Sequence, residues 1–82
     1  MKYFVIVDVT LRDGIADPEG ATIERALPAL GFTGITDVKA AKTFRMNIDA
    51  ESEEEALTKA TSLAERLLSN PVIENAAARI GK

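Results

Sequence analysis

The sequence of 82 residues contains no cysteine and no histidine, and these two absences exclude most catalytic and metal chemistry. Without cysteine there is no disulfide, no iron–sulfur cluster and no thiolate zinc site. Without histidine the chain lacks the commonest general base and the commonest transition-metal ligand. Its serines have no imidazole to activate them, so a Ser–His–Asp triad is excluded. We expect no catalytic residue in this chain.

Positive charge and aromatic side chains are also scarce. The net charge is −3, and aromatic residues make up 5% of the sequence. Nucleic-acid binders gain much of their affinity by neutralising phosphates, and RNA-recognition domains add stacking aromatics. We therefore expect no nucleic-acid partner. The apolar run near the N-terminus is broken by Asp8 and is too short to span a membrane, so we expect a soluble, cytoplasmic protein without a membrane partner.

The length predicts a single domain over residues 1–82. A domain of this size buries only about 60–65% of the surface that its unfolded chain exposes, which leaves a thin margin of stability. Domains this small often gain stability from disulfides, metals or oligomerisation. Because the residues that form disulfides and most metal sites are absent, self-association is the option left open.

Residues 2–12 predict a strand. Its odd-numbered positions from Tyr3 to Leu11 are all apolar, as the two-residue period of a half-buried strand requires. The opposite face is polar toward its C-terminal end but carries Phe4 and Ile6 near its start. The strand is longer than the usual length of about 5–6 residues. We therefore expect its end to project beyond its own sheet.

The stretch Asp17-Pro18-Glu19 predicts the start of a helix over residues 18–30. Aspartate is a favoured N-cap, proline is tolerated at the first helical position, and glutamate complements the helix dipole in the first turn. Gly31 is a natural stop after the helix. Since Pro28 has no N–H to donate to the Glu24 carbonyl, we expect a kink or a 3₁₀ segment there.

Similar patterns predict the remaining elements. Residues 35–42 predict a weaker strand, and residues 43–50 predict a strong one with alternating apolar positions. Ser52 and Glu55 match a capping box at the start of a helix over residues 52–68. A last strand is predicted over residues 74–80. The order βαββαβ predicts a ferredoxin-like two-layer α+β sandwich, an antiparallel sheet with two helices on one face.

Carboxylates are the only candidates for a metal site. Asp13, Asp17 and Glu19 lie close in sequence, but helix initiation explains the last two, and Ca²⁺ needs about six or more oxygen ligands. The consecutive glutamates at residues 53–55 point in different directions on a helix. We expect no metal site, although a minor carboxylate metal binder stays open as an alternative.

Several longer motifs occur together and resemble those of one family. They are DPEG and LPALGF at the two ends of the first helix, VKAAKTFRMNI across the middle strands, SEEEA at the start of the second helix, and LLSNPVIEN before the last strand. In this order and spacing they cover nearly the whole chain. The sequence resembles the PurS family, the small subunit of phosphoribosylformylglycinamidine (FGAM) synthase.

The resemblance implies a non-catalytic subunit of that complex in de novo purine biosynthesis. In the family the small subunit forms a homodimer, sometimes a dimer of dimers, by joining strands between chains. It bridges a glutaminase subunit and a large synthetase subunit and assists ammonia transfer. The complex converts formylglycinamide ribonucleotide, glutamine and ATP to formylglycinamidine ribonucleotide, glutamate, ADP and phosphate. The resemblance implies no cofactor in this subunit, because ATP and Mg²⁺ are used by the synthetase subunit.

Two sets of residues follow as candidate sites. Phe4 and Ile6, with the edge of the sheet, form our candidate oligomer interface, because exposed apolar edges readily pair with another chain. The alternative is that they pack under loops of their own domain. The signature positions, structural or partner-facing, are Asp17, Pro18, Gly20, Lys42, Asn70 and Pro71. A different function also stays open, that of a small ACT-like domain sensing a ligand such as an amino acid at a dimer interface.

Overall fold

The computed structural model describes residues 1–81, which form five main regular elements. They are β1 (Lys2–Leu11), α1 (Pro18–Ala26), β2 (Ala41–Asp49), α2 (Glu53–Leu63) and β3 (Glu74–Ile80). Lys82, the last residue of the predicted domain, lies outside the described residues. None of the helices in residues 1–81 is long and apolar enough to cross a membrane.

The three strands form one antiparallel sheet in the order β2–β1–β3. In this register Val7 of β1 lies opposite Phe44 of β2 and Ala78 of β3. Because side chains alternate along each strand, apolar residues of all three strands share one face, which we call the inner face. The outer face is the one that carries Phe4 and Ile6.

The core lies between the inner face and α2. Three valines of β1 and three alanines of the second helix are at most 1% exposed: Val5, Val7, Val9, Ala56, Ala60 and Ala64. Alanine lets the helix backbone approach the sheet closely, and each fully buried valine contributes about 1.5–3 kcal/mol. Larger side chains at the margins of the contact are partly buried against this core, among them Phe44, Met46, Ile48 and Ile80.

The second helix begins where the sequence predicts and ends in a widened turn. Ser52 Oγ accepts the Glu55 N–H at 3.1 Å, which satisfies one of the free donors of the first turn. Beyond Leu63 the helix continues as a π turn over Ala64–Leu68, because the Ala64 carbonyl accepts the Ser69 N–H at 2.9 Å. The helix predicted over residues 52–68 is therefore confirmed, with a wider last turn.

Pro28 interrupts the first helix as expected. The Glu24 carbonyl accepts the Leu27 N–H at 3.3 Å, and α1 ends at Ala26. A 3₁₀ turn follows over Pro28–Leu30. Gly31 then has a φ of 88°, a left-handed conformation that suits glycine at a helix end.

The strand predicted over residues 35–42 is wrong. Residues 35–40 have no regular structure, and β2 begins at Ala41. Asp37 has a φ of 57°, which a strand residue does not adopt. The N–H groups of Val38 and Ala40 donate to side chains of α1 and its cap, so they are not available to a strand ladder.

The prediction that both helices cover the same face holds for α2 only. The first helix does not pack against the sheet but lies against residues 38–40. Gly20 is the one buried residue of α1. The α+β fold of ferredoxin-like type, with an antiparallel sheet and two helices, is confirmed, but the sheet formed by residues 1–81 has three strands instead of four.

Candidate functional site

The signature positions lie at one end of the sheet. Antiparallel pairing places Leu11, at the end of β1, opposite Glu74, at the start of β3, and places Thr10 opposite Ala41 of β2. The start of α1 and the turn before β3 lie at this same end. We call it the signature end, and its residues from the sequence prediction are Asp17, Pro18, Gly20, Lys42, Asn70 and Pro71.

Asp17 joins the start of α1 to the segment before β2. One carboxylate oxygen accepts the Gly20 N–H at 2.8 Å, and the other accepts the Ala40 N–H at 2.8 Å. These donors, Gly20 first, hold the pKa of Asp17 below its ordinary value of 3.8, with a smaller contribution from the ammonium of Lys39. The predicted N-cap is confirmed, and the same side chain also fixes the approach to β2.

Gly20 allows a close approach between α1 and that segment. A Cβ at this position would overlap the carbonyl oxygen of Val38 and would come within 2.9 Å of the Asp17 carboxylate. One turn later, Glu24 Oε1 accepts the Val38 N–H at 3.0 Å. Helix initiation alone does not require a glycine at residue 20. The close approach to the Val38 carbonyl does, because a side chain at residue 20 would overlap it.

Glu74 connects the turn before β3 with β2, and the sequence patterns did not point to it. Its side chain is 12% exposed, its Oε1 accepts the Asn70 N–H at 2.7 Å, and its Oε2 lies 3.8 Å from Lys42 Nζ. Arg12 Nε donates to the Pro71 carbonyl at 2.9 Å. A glutamate four residues after Asn70 is the only signal in the sequence, and it indicates a turn as readily as a site.

A groove of ≈ 280 Å³ opens at the signature end. Its lining includes two apolar side chains of β1, the start of α1 and one ion pair: Val9, Leu11, Asp17, Pro18, Lys42 and Glu74. Asp17 and Glu74 already accept hydrogen bonds from backbone N–H groups, so they are held as structural acceptors, and the third carboxylate of the lining, Glu19, is exposed in the first turn of α1. The arrangement is therefore suited to recognition and offers no activated nucleophile or general base.

The carboxylate clusters do not assemble a metal centre. Within residues 1–81, no three acidic side chains are placed so that they could hold a metal ion. Ser52 and the three glutamates that follow it lie at the exposed start of α2, where negative charge complements the helix dipole.

Phe4 and Ile6 lie away from the signature end, on the outer face. The Phe4 carbonyl accepts the Gly81 N–H at 2.8 Å. A Cβ at Gly81 would come within 2.8 Å of the Phe4 ring. Both apolar side chains are half-buried. Further along this face, Asp8 accepts a hydrogen bond from Thr43 and pairs with Arg79; these contacts, Thr43 first, lower the pKa of Asp8.

Comparisons with known proteins agree on one family. The PurS family model, described as phosphoribosylformylglycinamidine (FGAM) synthase, matches residues 4–82. The PurS subunit of that synthase from Archaeoglobus fulgidus is 44% identical over 68 residues, 83% of this chain and 85% of the relative. The subunit from Methanocaldococcus jannaschii is 34% identical over 80 residues, 98% of this chain and 96% of the relative.

Solved structures show the same fold. The PurS subunit crystal structure from Thermotoga maritima superposes with a TM-score of 0.90 at 30% identity, covering 99% of this chain and 93% of that one. A chain in the structure of PurLQS from the same organism gives a TM-score of 0.89 at 30% identity and 99% coverage of both chains. These comparisons give no support to an ACT-like ligand-sensing domain.

Proposed function

The chain belongs to the PurS family, and on this premise we propose that it is a non-catalytic subunit of an FGAM synthase complex in purine biosynthesis. The observation that carries the proposal is its match, over 99% of both chains, to a chain of the PurLQS structure. In this role the subunit connects a glutaminase and an ATP-dependent synthetase and assists the transfer of ammonia between them.

The residues of the chain support a connecting role. The signature end presents hydrogen-bonded loops and a groove, which suit the docking of a partner, and it offers no activated nucleophile. In this proposal ATP and Mg²⁺ are used by the synthetase subunit, as the resemblance to the family implies. The proposed compartment is the cytoplasm, where the other subunits of a purine-synthesis complex act.

Reconstitution tests the proposal. The glutaminase and synthetase subunits of the same organism are combined with and without this chain, and product formation is measured with glutamine and with free ammonia. We expect glutamine-dependent synthesis to require the chain and ammonia-dependent synthesis to proceed without it. An unchanged glutamine-dependent rate on omission would overturn the proposal.

Lys42 and Lys59 provide a matched pair for locating the docking surface. Both lysines are more than half exposed, and both lie near a glutamate, Glu74 and Glu55 respectively. We expect Lys42→Glu, at the signature end, to reduce glutamine-dependent synthesis while ammonia-dependent synthesis is retained. Lys59→Glu, on α2, is expected to affect neither. Equal losses in both variants would argue against the signature end as the docking surface.

Self-association through the outer face is the second part of the proposal. Phe4 and Ile6 are half-buried apolar residues on the outer face of the central strand β1, and the sheet of residues 1–81 ends on either side in β2 and β3, whose outer edges can pair with another chain. Phe4→Asp is expected to reduce the molar mass of the folded protein, measured by light scattering during gel filtration. Thr10→Asp is the control, because Thr10 is an exposed residue on the same face of the same strand. A folded Phe4→Asp protein of unchanged mass would exclude this surface.

A further inference from the structure

Asp13 and Gly14 form the centre of an exposed turn between β1 and α1. The Arg12 carbonyl accepts the Ile15 N–H at 3.2 Å, and this bond closes the turn. Both central residues are exposed, and Gly14 has a φ of 84°. Glycine adopts this left-handed conformation at little cost, so the sequence Asp-Gly suits the turn.

The backbone of Gly14 has room to change its conformation. A Cβ at Gly14 would meet no heavy atom within 4 Å beyond its chain neighbours. Within residues 1–81 the Gly14 N–H donates to no backbone carbonyl, and the Asp13 carboxylate forms no ion pair. Because glycine adopts both signs of φ readily, the peptide group between Asp13 and Gly14 can rotate without breaking a backbone hydrogen bond of Gly14.

The other aspartates and the asparagines of the sequence are followed by residues other than glycine. Valine, proline, valine and alanine follow the other aspartates, which are Asp8, Asp17, Asp37 and Asp49. Isoleucine, proline and alanine follow the asparagines, which are Asn47, Asn70 and Asn75. Proline has no N–H, and a side chain on the following residue hinders the approach of its nitrogen to the carboxyl group. Only Asp13 therefore precedes an unhindered backbone nitrogen.

We propose that Asp13-Gly14 is a site of spontaneous isoaspartate formation. The Gly14 backbone nitrogen attacks Cγ of Asp13, a C–N bond forms, and the carboxyl hydroxyl leaves with the amide proton as water, so a cyclic succinimide results. Water that adds at Cγ opens the ring to aspartate again. Water that adds at the main-chain carbonyl carbon breaks the original peptide bond, and Gly14 stays attached through Cγ. The second product is isoaspartate.

Isoaspartate at residue 13 changes the turn and creates a group that an enzyme can modify. The main chain of the turn gains one methylene, so we expect the bond from the Ile15 N–H to the Arg12 carbonyl to be lost. The start of α1 is expected to stay in place, because Asp17 is held by two N–H groups outside the turn. The main-chain carboxylate freed at residue 13 is the group that isoaspartyl methyltransferases esterify with S-adenosylmethionine.

Ageing of the full chain under folding conditions is the first test. Isoaspartate is measured by transfer of labelled methyl groups from S-adenosylmethionine by an isoaspartyl methyltransferase, and mass spectrometry with electron-transfer fragmentation locates it. We expect isoaspartate to form roughly ten times faster at residue 13 than at any other aspartate, a difference of about 1.4 kcal/mol in the barrier. Isoaspartate spread evenly over the aspartates, or none at residue 13, would overturn the proposal.

Asp13→Glu and Asp37→Glu form a matched pair. Both aspartates are exposed, and both substitutions keep the charge, but glutamate would have to close a larger ring, which forms far more slowly. We expect aged Asp13→Glu to lose most of the methyl acceptance of the unmodified chain and aged Asp37→Glu to keep it. Equal methyl acceptance in the two variants would contradict the assignment to residue 13.

The unfolded chain provides the reference for the effect of the turn. The unmodified chain is aged in parallel in guanidinium chloride, and we expect the folded chain to form isoaspartate at residue 13 within about a factor of ten of the unfolded rate. A folded rate far below that would mean that the turn blocks the attack, and the proposal would fail. This inference does not depend on the proposed function, which the reconstitution experiment judges separately.

Discussion

The two helices of this chain begin alike and end in different environments. Asp17 caps α1 and Ser52 caps α2, each by accepting the N–H three residues ahead, and glutamates occupy both first turns. The second helix nevertheless buries Ala56 and Ala60 against the sheet, whereas α1 buries Gly20 alone.

The two helices lie in different environments because of the segments that connect them to the strands, and not because of their own sequences. Only three residues, 50–52, separate β2 from α2, so the chain must reverse at once and lay α2 over the inner face. Six residues separate β1 from α1, and the side chains of Asp17 and Glu24 then fasten α1 to residues 38–40. The local pattern therefore specifies that a helix forms, while these contacts specify where it lies.

Val7→Asp is expected to have the largest effect on stability, because Val7 lies in the core between the sheet and α2. Val7 is 0% exposed, and an unpaired buried charge costs about 3–5 kcal/mol. That is comparable to the whole stability of a domain this small, about 0.05–0.15 kcal/mol per residue. We expect no cooperative unfolding transition in urea for this variant.

Two controls sharpen the result for Val7. Val72→Asp makes the same change at a valine that is 81% exposed, and we expect a change within about 0.5 kcal/mol in the free energy of unfolding. Ile23→Asp, on α1, is expected to leave the circular dichroism of the sheet and α2 intact. A cooperative transition in Val7→Asp equal to that of Val72→Asp would contradict the buried position of Val7.

Gly20→Ala is expected to have an intermediate effect with a diagnostic sign. Inside an ordinary helix, this change stabilises by about 0.5–1 kcal/mol. Here the new Cβ would overlap the Val38 carbonyl, so we expect α1 to be destabilised by about 1–3 kcal/mol instead. Hydrogen exchange of the α1 amides measures the change.

The control for Gly20 is Ala21→Gly, the reverse substitution at the exposed neighbouring position. It reports helix propensity alone and is expected to cost about 0.5–1 kcal/mol. Slower exchange of the α1 amides in Gly20→Ala would mean that the helix does not lie against Val38.

Local chemistry made much of the structure predictable. The alternation of residues 3–11 predicted the central strand, and Asp17 and Ser52 predicted both helix starts, because an N-cap acts within one turn. Pro28 predicted the 3₁₀ turn for the same local reason.

The errors lie where a long-range contact overrides a local pattern. Residues 35–42 have the composition of a weak strand, but Asp17 and Glu24 bind two of their N–H groups from 23 and 14 residues away. The role of Glu74 was hidden for the same reason, since its partner Lys42 is on another strand. The clustering of the signature positions became visible only when the strand register was known.

The smallest expected effect is the pH dependence of the α1 cap. It distinguishes the two helices because the cap of α1 is a carboxylate and the cap of α2 is a hydroxyl. The Gly20 and Ala40 N–H groups lower the pKa of Asp17 below 3.8, so the unfolded chain takes up the proton more readily. The contribution of Asp17 to stability is therefore complete above that pH and is lost as the pH falls through the lower pKa of the folded state. The Ser52 hydroxyl does not ionise in this range, so the cap of α2 keeps its bond.

Amide hydrogen exchange checks this prediction below pH 3.8. After correction for the intrinsic pH dependence of exchange, we expect Gly20 and Ala40 to lose protection while Glu55 in α2 keeps it. Glu24 also faces this segment, so the comparison is made in a Glu24→Gln background, with and without Asp17→Asn. If the loss of protection at Ala40 persists after Asp17→Asn, another group controls the cap. If the loss disappears, the Asp17 carboxylate is the acid-sensitive group that positions α1.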